Sequence, residues 1–473
     1  MKEQRQKRKQ RWHIHKEAKS GGAVRRHLYQ YKMKLIKISL SGLLLLCLSL
    51  GAHAQDILTL EQAIDPALKN NYDLRLARND AEVSANDYAY ANFAFLPTLN
   101  ATAGKNWTTS SIKQELANGN KRDTSGIKNQ QLQASINLQW VLFDGLKMFA
   151  TRSRVENIKV LGELTVKNQI VNTMAAVING YYNIAQQKQQ LRALAEQMSI
   201  SDERVKLSDA KFQTGLAPKT DWLQARVDYN AQKAAHLRQQ TLIVQAKASL
   251  NQLMGVDPAN IGYDVRDSIP VNFELNYGTL QQGIDTINTD LKVARQNITI
   301  SELALRERKG ELFPVIAFNS AYNFNRNRAN AATNQFSTIF NQNGGLNYGF
   351  SATVPIFNGF NKQREIKNAK LDIAYQQLSL ENRRSVVNLS LTNAFKDYEY
   401  FKQALELEEE TLELSKENVM VALERFRQGV STTLELKEAQ QSLEDSYNRL
   451  IQARYNTKLA ETELLRLRGD LLR

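Results

Sequence analysis

The chain has 473 residues, with 62 Lys and Arg against 48 Asp and Glu, a formal net charge of +14, one cysteine and five histidines. Such a basic balance would suit nucleic acid, but it is local: Met1 to Lys37 holds 13 Lys or Arg against two acids, Glu3 and Glu17, so the 419 residues after residue 54 (473 less 54) carry only about +3. Cys47 and all histidines except His236 also precede Gln55, so the chain from Gln55 onward cannot build a zinc cage, a Cys/His nucleophile pair or a disulfide framework. P-loop, H-E-x-x-H, G-x-S-x-G and Rossmann patterns are missing too, so no catalytic residue, metal site or cofactor is predicted.

The segment 1–54 reads as a leader. The basic stretch is followed by an apolar run, Ile38 to Leu50, and then by Ala52-His53-Ala54, an A-x-A cleavage site of a secretory signal peptide. A run this short does not span a bilayer core of about 30 Å, which disfavours a membrane anchor. Leu44-Leu45-Leu46 before Cys47 lack the small residues of a lipoprotein site. Met33, with Lys34 and Lys37, would be a more usual start, leaving 1–32 as an extension.

After the leader, Thr59 and Gln62 form a capping box that starts a helix running to about Phe95, kinked by Pro66. Period-two alternation follows. In 132–140 the apolar Leu132, Ala134, Ile136, Leu138 and Trp140 alternate with polar residues, and Leu99, Ala101, Ala103 and Trp107 alternate with Thr98, Asn100, Thr102 and Asn106. These predict strands at about 97–108 and 131–143, joined by a polar linker over about 109–131. A proline-free segment of helical periodicity then predicts a helix over 147–213, roughly 100 Å long at about 1.5 Å per residue. A turn at Gly215 leads to a return helix over 219–254.

The same plan then repeats. Phe143 and Phe357, Phe212 and Phe426, Gly215 and Gly429, and Gly255 and Gly469 share an offset of 214 in the numbering, while Asn71 and Asn288, and Pro97 and Pro314, are offset by 217. The chain therefore divides into a first repeat (55–255), a connector (256–276) and a second repeat (277–473). The second repeat has strands at about 314–325 and 345–357, a linker over 326–344, a long helix over 361–427 and a return helix over 432–468. The fall in offset from 217 to 214 places the one length difference between Pro97 and Phe143.

Each strand of about ten residues has the length a tilted transmembrane strand needs. A soluble sheet with one face on a core would alternate likewise, but the flanking helices are too long to fold back as its second layer. Four strands cannot close a barrel, since the smallest have about eight; three copies would give twelve.

At this point the residues resemble a known family. The paired Leu142-Phe143-Asp144-Gly145 and Ile356-Phe357-Asn358-Gly359, the Thr59-Leu60-Glu61-Gln62-Ala63 opening, and the run from Gly215 through Pro218, Asp221 and Trp222 to Arg226 resemble the TolC-like outer-membrane factors. The resemblance implies a mainly α protein with a transmembrane β part: a homotrimer whose 12-stranded β-barrel, four strands per chain, continues into a long α-helical periplasmic barrel. Such a trimer is the outer-membrane exit duct of a tripartite efflux pump or type I secretion system. Its partners would be a periplasmic adaptor, an inner-membrane transporter and outer-membrane lipid.

The resemblance also assigns roles at the tip. Thr214-Gly215-Leu216 and Gln428-Gly429-Val430 match the turns that meet the adaptor. Glu435 and Glu438 match acidic positions lining the closed periplasmic entrance, with Asp221 and Gln224 as their counterparts in the first repeat. Three copies of each carboxylate would form rings that favour cations and can bind divalent ions. Ser431 stands where some relatives carry a basic residue, which puts a closing salt bridge of that kind in doubt. Without the resemblance, Glu435 and Glu438 at i,i+3 read as a solvated helix face. The alternative function is a periplasmic structural coiled-coil or adaptor protein without a pore.

Overall fold

A computed structural model of the protein describes residues 57–117, 119–332 and 337–472. The predicted signal peptide and Cys47 lie outside them. The described residues fall into two units. The smaller holds Ile57, a two-residue strand with Leu58, and Gly262–Asp264. The larger, Thr59–Ile261 with the chain from Val265 onward, carries the sheet and the long helices.

It opens with helices α1 (Leu60–Asn70) and α2 (Tyr72–Ala91). The predicted capping box is present, with the Thr59 hydroxyl accepting from Gln62 N at 3.3 Å and the Gln62 side chain accepting from Thr59 N at 2.9 Å. The break falls at Asn71 and not at Pro66, which sits inside α1. Asn71 takes extended torsions, its Oδ1 accepts from Leu74 N at 3.1 Å to start α2, and its Nδ2 donates to Leu253 O at 2.9 Å. An N-cap that is also anchored across the fold sets the boundary between the two helices at Asn71, while α1 runs on through Pro66, its seventh residue. The second repeat does the same with Asn288, which caps Leu291 N and donates to Leu467 O at 2.8 Å.

Four strands form one antiparallel sheet in chain order: β1 (Thr98–Glu115), β2 (Lys121–Phe143), β3 (Val315–Ala329) and β4 (Phe340–Thr353). They extend beyond the alternating segments, so most of 109–131 is ladder and not linker, and 326–344 also loses residues to β3 and β4. Near the hairpin turns both faces are polar, as in Lys113-Gln114-Glu115 and Lys121-Arg122-Asp123, so alternation vanishes while backbone pairing continues. β4 stops at Thr353, short of 357, because Pro355 has no N–H to donate.

The register gives the sheet two unlike faces. On one, Leu99–Leu138–Ser320–Tyr348 and Ala101–Ile136–Tyr322–Leu346 are cross-strand rows, bounded at one end by Trp140–Phe318–Phe350 and at the other by Trp107–Gln130–Arg328–Phe340. On the other, the rows from Thr98–Gln139–Asn319 to Asn106–Gln131–Asn327–Asn341 carry no charged side chain and are dominated by Asn, Gln, Ser and Thr. Several of these pair with each other, Thr102 with Ser135 at 2.8 Å and Asn319 Nδ2 to Ser351 Oγ at 2.8 Å.

The long helices are α3 (Lys147–Gln213) and α6 (Asn361–Arg427), 67 residues each; the return helices α4 (Lys219–Met254) and α7 (Thr433–Arg468) have 36 each. Near the sheet α5 (Thr289–Gly310) packs between α3 and α6, with α2 on the other side of α3. Toward the tip the order is α4, α3, α7, α6. Heptad seams hold the pairs: on α7, Leu436, Leu443, Leu450, Thr457 and Leu464 are buried at sevenfold spacing.

Candidate functional site

Both tip turns are Schellman motifs. Gly215 takes φ 75°, its N–H donates to Phe212 O at 3.0 Å, and Leu216 N donates to Lys211 O at 2.8 Å. At the second turn Gly429 has φ 76°, with Gly429 N to Phe426 O at 3.1 Å and Val430 N to Arg425 O at 2.9 Å. Glycine is needed because the left-handed conformation crowds any Cβ. A Schellman turn usually buries its closing apolar residue against the last helical turn. Here that position faces Lys211 and Arg425, and Leu216 and Val430 stand 80% and 69% exposed.

Beneath the turns, Lys211 donates to Phe426 O, with its ammonium 3.7 Å from the Phe426 ring centroid; burial lowers its pKa. Phe212 stacks on Trp222, and Arg226 lies over the indole. These contacts tie α3 to α6 and α4 directly below the two glycines.

The acidic positions divide. Asp221, in the first turn of α4, accepts from Thr433 Oγ1 at 3.2 Å, joining the starts of the two return helices. Gln224 donates to Asp228 at 2.9 Å. Glu435 and Glu438 are exposed on one face of α7, with Glu435 N capped by Thr432 Oγ1 at 3.2 Å. Among the described residues neither carboxylate has a basic partner. Lys437, between them, turns instead to Asp228 at 3.2 Å. Beside the second turn, ion pairs come from Lys437 and from Arg427, which bridges Glu203 on α3 and Glu424, and not from position 431.

Asp228 belongs to a cluster that sequence reasoning missed. Arg204, 1% exposed on α3, donates to Asp228 at 2.5 Å and to Gln440 on α7 at 2.8 Å. Burial pushes the Asp228 pKa up, but hydrogen bonds from Gln224, Arg204 and Lys437 outweigh it and hold the carboxyl below its usual range. The one signal in the sequence was position: Gln197, Ser201, Arg204 and Ser208 follow the heptad seam of α3, and all four are buried.

Among the described residues no group of three or more His, Cys, Asp or Glu is placed to hold a metal ion. No described helix is long and apolar enough to cross a membrane. The sheet does have that reach. Phe318 and Arg328, in the two bounding rows, are ten residues apart on β3, about 33 Å along a strand at roughly 3.3 Å per residue and about 25 Å across a bilayer at a tilt of about 40°.

A sheet of bilayer height carried on paired rods defines the class of outer-membrane channels in which a strand barrel continues into helices. The chain belongs to the outer membrane efflux protein family, whose sequence profile matches residues 63–256 and 286–470. It is 20% identical over 444 residues to the outer membrane protein TolC of Escherichia coli, covering 92% of this chain and 86% of that one. To the outer membrane efflux protein BepC of Brucella suis it is 21% identical, covering 87% and 86%. To the proteases secretion protein PrtF of Dickeya chrysanthemi it is 20% identical, covering 72% and 73%. Among solved structures, the outer-membrane channel OprN superposes with a TM-score of 0.71 at 16% identity, covering 88% of this chain and 93% of that one. The CmeC outer membrane channel of Campylobacter jejuni gives 0.71 at 17%, covering 87% and 85%.

Proposed function

We propose that the chain is the passive exit duct of an efflux or type I secretion machine, a channel and not an enzyme, in which three copies close a 12-stranded barrel over a helical tunnel. The two-faced sheet carries this reading: a face of bilayer height, apolar up to its last two rows where Lys105, Arg326 and Arg328 can snorkel outward, suits lipid, and an uncharged amide face suits a water-filled lumen. Among the described residues the outer edges of β1 and β4 have no strand partner, and edges at membrane depth must be paired. The helices call for neighbours as well. On α6, Tyr400, Leu407, Leu414 and Val421 are exposed at sevenfold spacing, and Leu223, Leu237 and Val244 make a similar stripe on α4 at the other flank. Joining one flank to the opposite flank of the next copy is head-to-tail contact, which closes into a ring.

At the tip, three copies of Glu435 and Glu438 would ring the entrance, with Asp221 and Gln224 beside them, and the negative field would favour cations. The contact between Asp221 and Thr433 would hold the return helices together until the entrance widens. The turns Thr214-Gly215-Leu216 and Gln428-Gly429-Val430, with their exposed apolar side chains, are the surface for a periplasmic adaptor. An inner-membrane transporter would supply the energy, since this chain has no nucleotide-binding pattern.

The test is conductance of the purified protein in a planar bilayer. We expect a small, cation-selective conductance that loses most of its selectivity in Glu435→Gln/Glu438→Gln. Pores with unchanged selectivity would remove the carboxylate assignment. A correctly assembled membrane trimer without conductance would remove the channel.

A further inference from the structure

At the hairpin-turn end of the sheet, from the row just inside the Trp107–Phe340 boundary outward, the lipid-suited face becomes basic. Lys105 and Arg326 lie in one row with Leu132 between them, and Arg328 lies in the next, between Gln130 and Phe340. Lys128 stands two residues from Gln130 on the same strand and face. All four are exposed, and among the described residues none has a carboxylate partner. Aromatic rings hold two of them in place: Lys105 lies 4.9 Å over Trp107 and Arg326 5.5 Å over Phe340. The acids of the four strands are Glu115 and Asp123, and both are already paired, with Lys121 at 3.6 Å and Lys113 at 3.1 Å. The opposite face at the same height is uncharged.

Strands about 4.8 Å apart put the Cα atoms of Lys105 and Arg326 about 10 Å from each other, and Arg326 and Arg328 about 7 Å apart along β3. That is a compact group of cations on an aromatic girdle. β1 begins and β4 ends at the helices, so this end of the sheet is the one farther from them, the extracellular side in the duct reading on which this inference rests.

We propose that Lys105, Lys128, Arg326 and Arg328 form a docking surface for a phosphate-bearing lipid head group of the outer leaflet. The acyl chains lie along the apolar rows below, Trp107 and Phe340 sit at the boundary with Arg328, and Lys105 and Arg326, one row inside it, reach past the rings to the phosphates. Charge complementarity selects this occupant over a protein or a neutral glycan, because the rows of the patch hold four cations and no carboxylate.

The test uses the full-length protein in detergent, titrated with lipid A carrying its phosphates, with dephosphorylated lipid A and with inorganic phosphate, bound lipid being counted by native mass spectrometry. Wild type is expected to hold the phosphorylated lipid at least about tenfold more tightly than the dephosphorylated one, and Lys105→Gln/Arg326→Gln/Arg328→Gln to lose that preference. Lys113→Gln/Lys121→Gln, which touches only the paired lysines, is expected to keep it. Equal affinity for the two lipids, a preference that survives the triple variant, or one lost equally in the double variant would overturn the proposal. Full competition by inorganic phosphate would also overturn it, since the site would then read free anion. A photocrosslinking residue at Gln130 is expected to capture phosphate-labelled lipid in cells, and one at Gln131, on the opposite face, is not; equal capture counts against the proposal even if the triple variant fails to assemble. Conductance measured on the same variants separates the two readings: intact conductance without lipid preference discards the docking surface and keeps the duct.

Discussion

Arg204 shows what one residue decides in a coiled seam. Its guanidinium is out of water and donates through its two terminal nitrogens to Asp228 on α4 and Gln440 on α7, so it joins three helices through one side chain while its Nε stays buried without a partner among the described residues. Breaking a buried pair from one side leaves an uncompensated charge, so Asp228→Ala is expected to destabilise by about 3–5 kcal/mol. Lys437→Ala, which removes a half-exposed partner of the same carboxylate, should cost less than about 1 kcal/mol; thermal unfolding of the two variants side by side checks the contrast. Arg204 was not legible in the sequence for a physical reason. Gln197, Ser201, Arg204 and Ser208 have the spacing of a core stripe and the polarity of a solvated one, and only the facing side chains show which holds. Glu435 and Glu438 were legible as a solvated face, and within one chain that is how they stand.

Among the elements, turns and helix lengths were far more legible than strand lengths. A left-handed glycine leaves a mark in the sequence whatever surrounds it, and the paired marks at Gly215 and Gly429 bound the rods. Strand ends leave none where both faces meet water, so the hairpins outran their alternation. The glycines also differ in kind. At Gly215 and Gly429 no atom beyond the glycine and its chain neighbours lies within 4 Å of the place a Cβ would take, whereas at Gly145 it would stand 2.2 Å from Gly310 O. Gly215→Ala should therefore cost only the left-handed strain, about 1–2 kcal/mol. Gly145→Ala adds a backbone collision where β2 hands over to α3 and should cost distinctly more; chemical denaturation of both variants measures the difference. The handover is tight in both repeats, since Leu146 and its counterpart Phe360 keep φ of 64° and 60° without being glycine.

For the molecule as a whole, Glu311 is one of the joints between the two repeats. It accepts from Lys147 at the head of α3 and from Lys362 at the head of α6, one lysine from each half. Burial alone would raise its pKa, but these two hydrogen bonds outweigh it and hold the carboxyl down to about 2 from an ordinary 4.5. A depressed carboxylate stabilises fully above its ordinary pKa, and that contribution is lost as pH falls through the folded value. The gap in unfolding temperature between wild type and Glu311→Gln should thus be constant above about pH 4.5, shrink between about 4.5 and 2, and vanish below. A gap that persists at pH 2 would mean that packing, and not charge, makes the joint. The duplication has a further consequence at the tip. The two turns share the same Schellman hydrogen bonds and a glycine φ of 75° and 76°, but only the second is followed by a pair of glutamates. In a ring of three, a partner that grips turn backbone meets six near-equivalent seats, while one that reads the carboxylates meets three. The stoichiometry of whatever docks there therefore reports which of the two features it recognises.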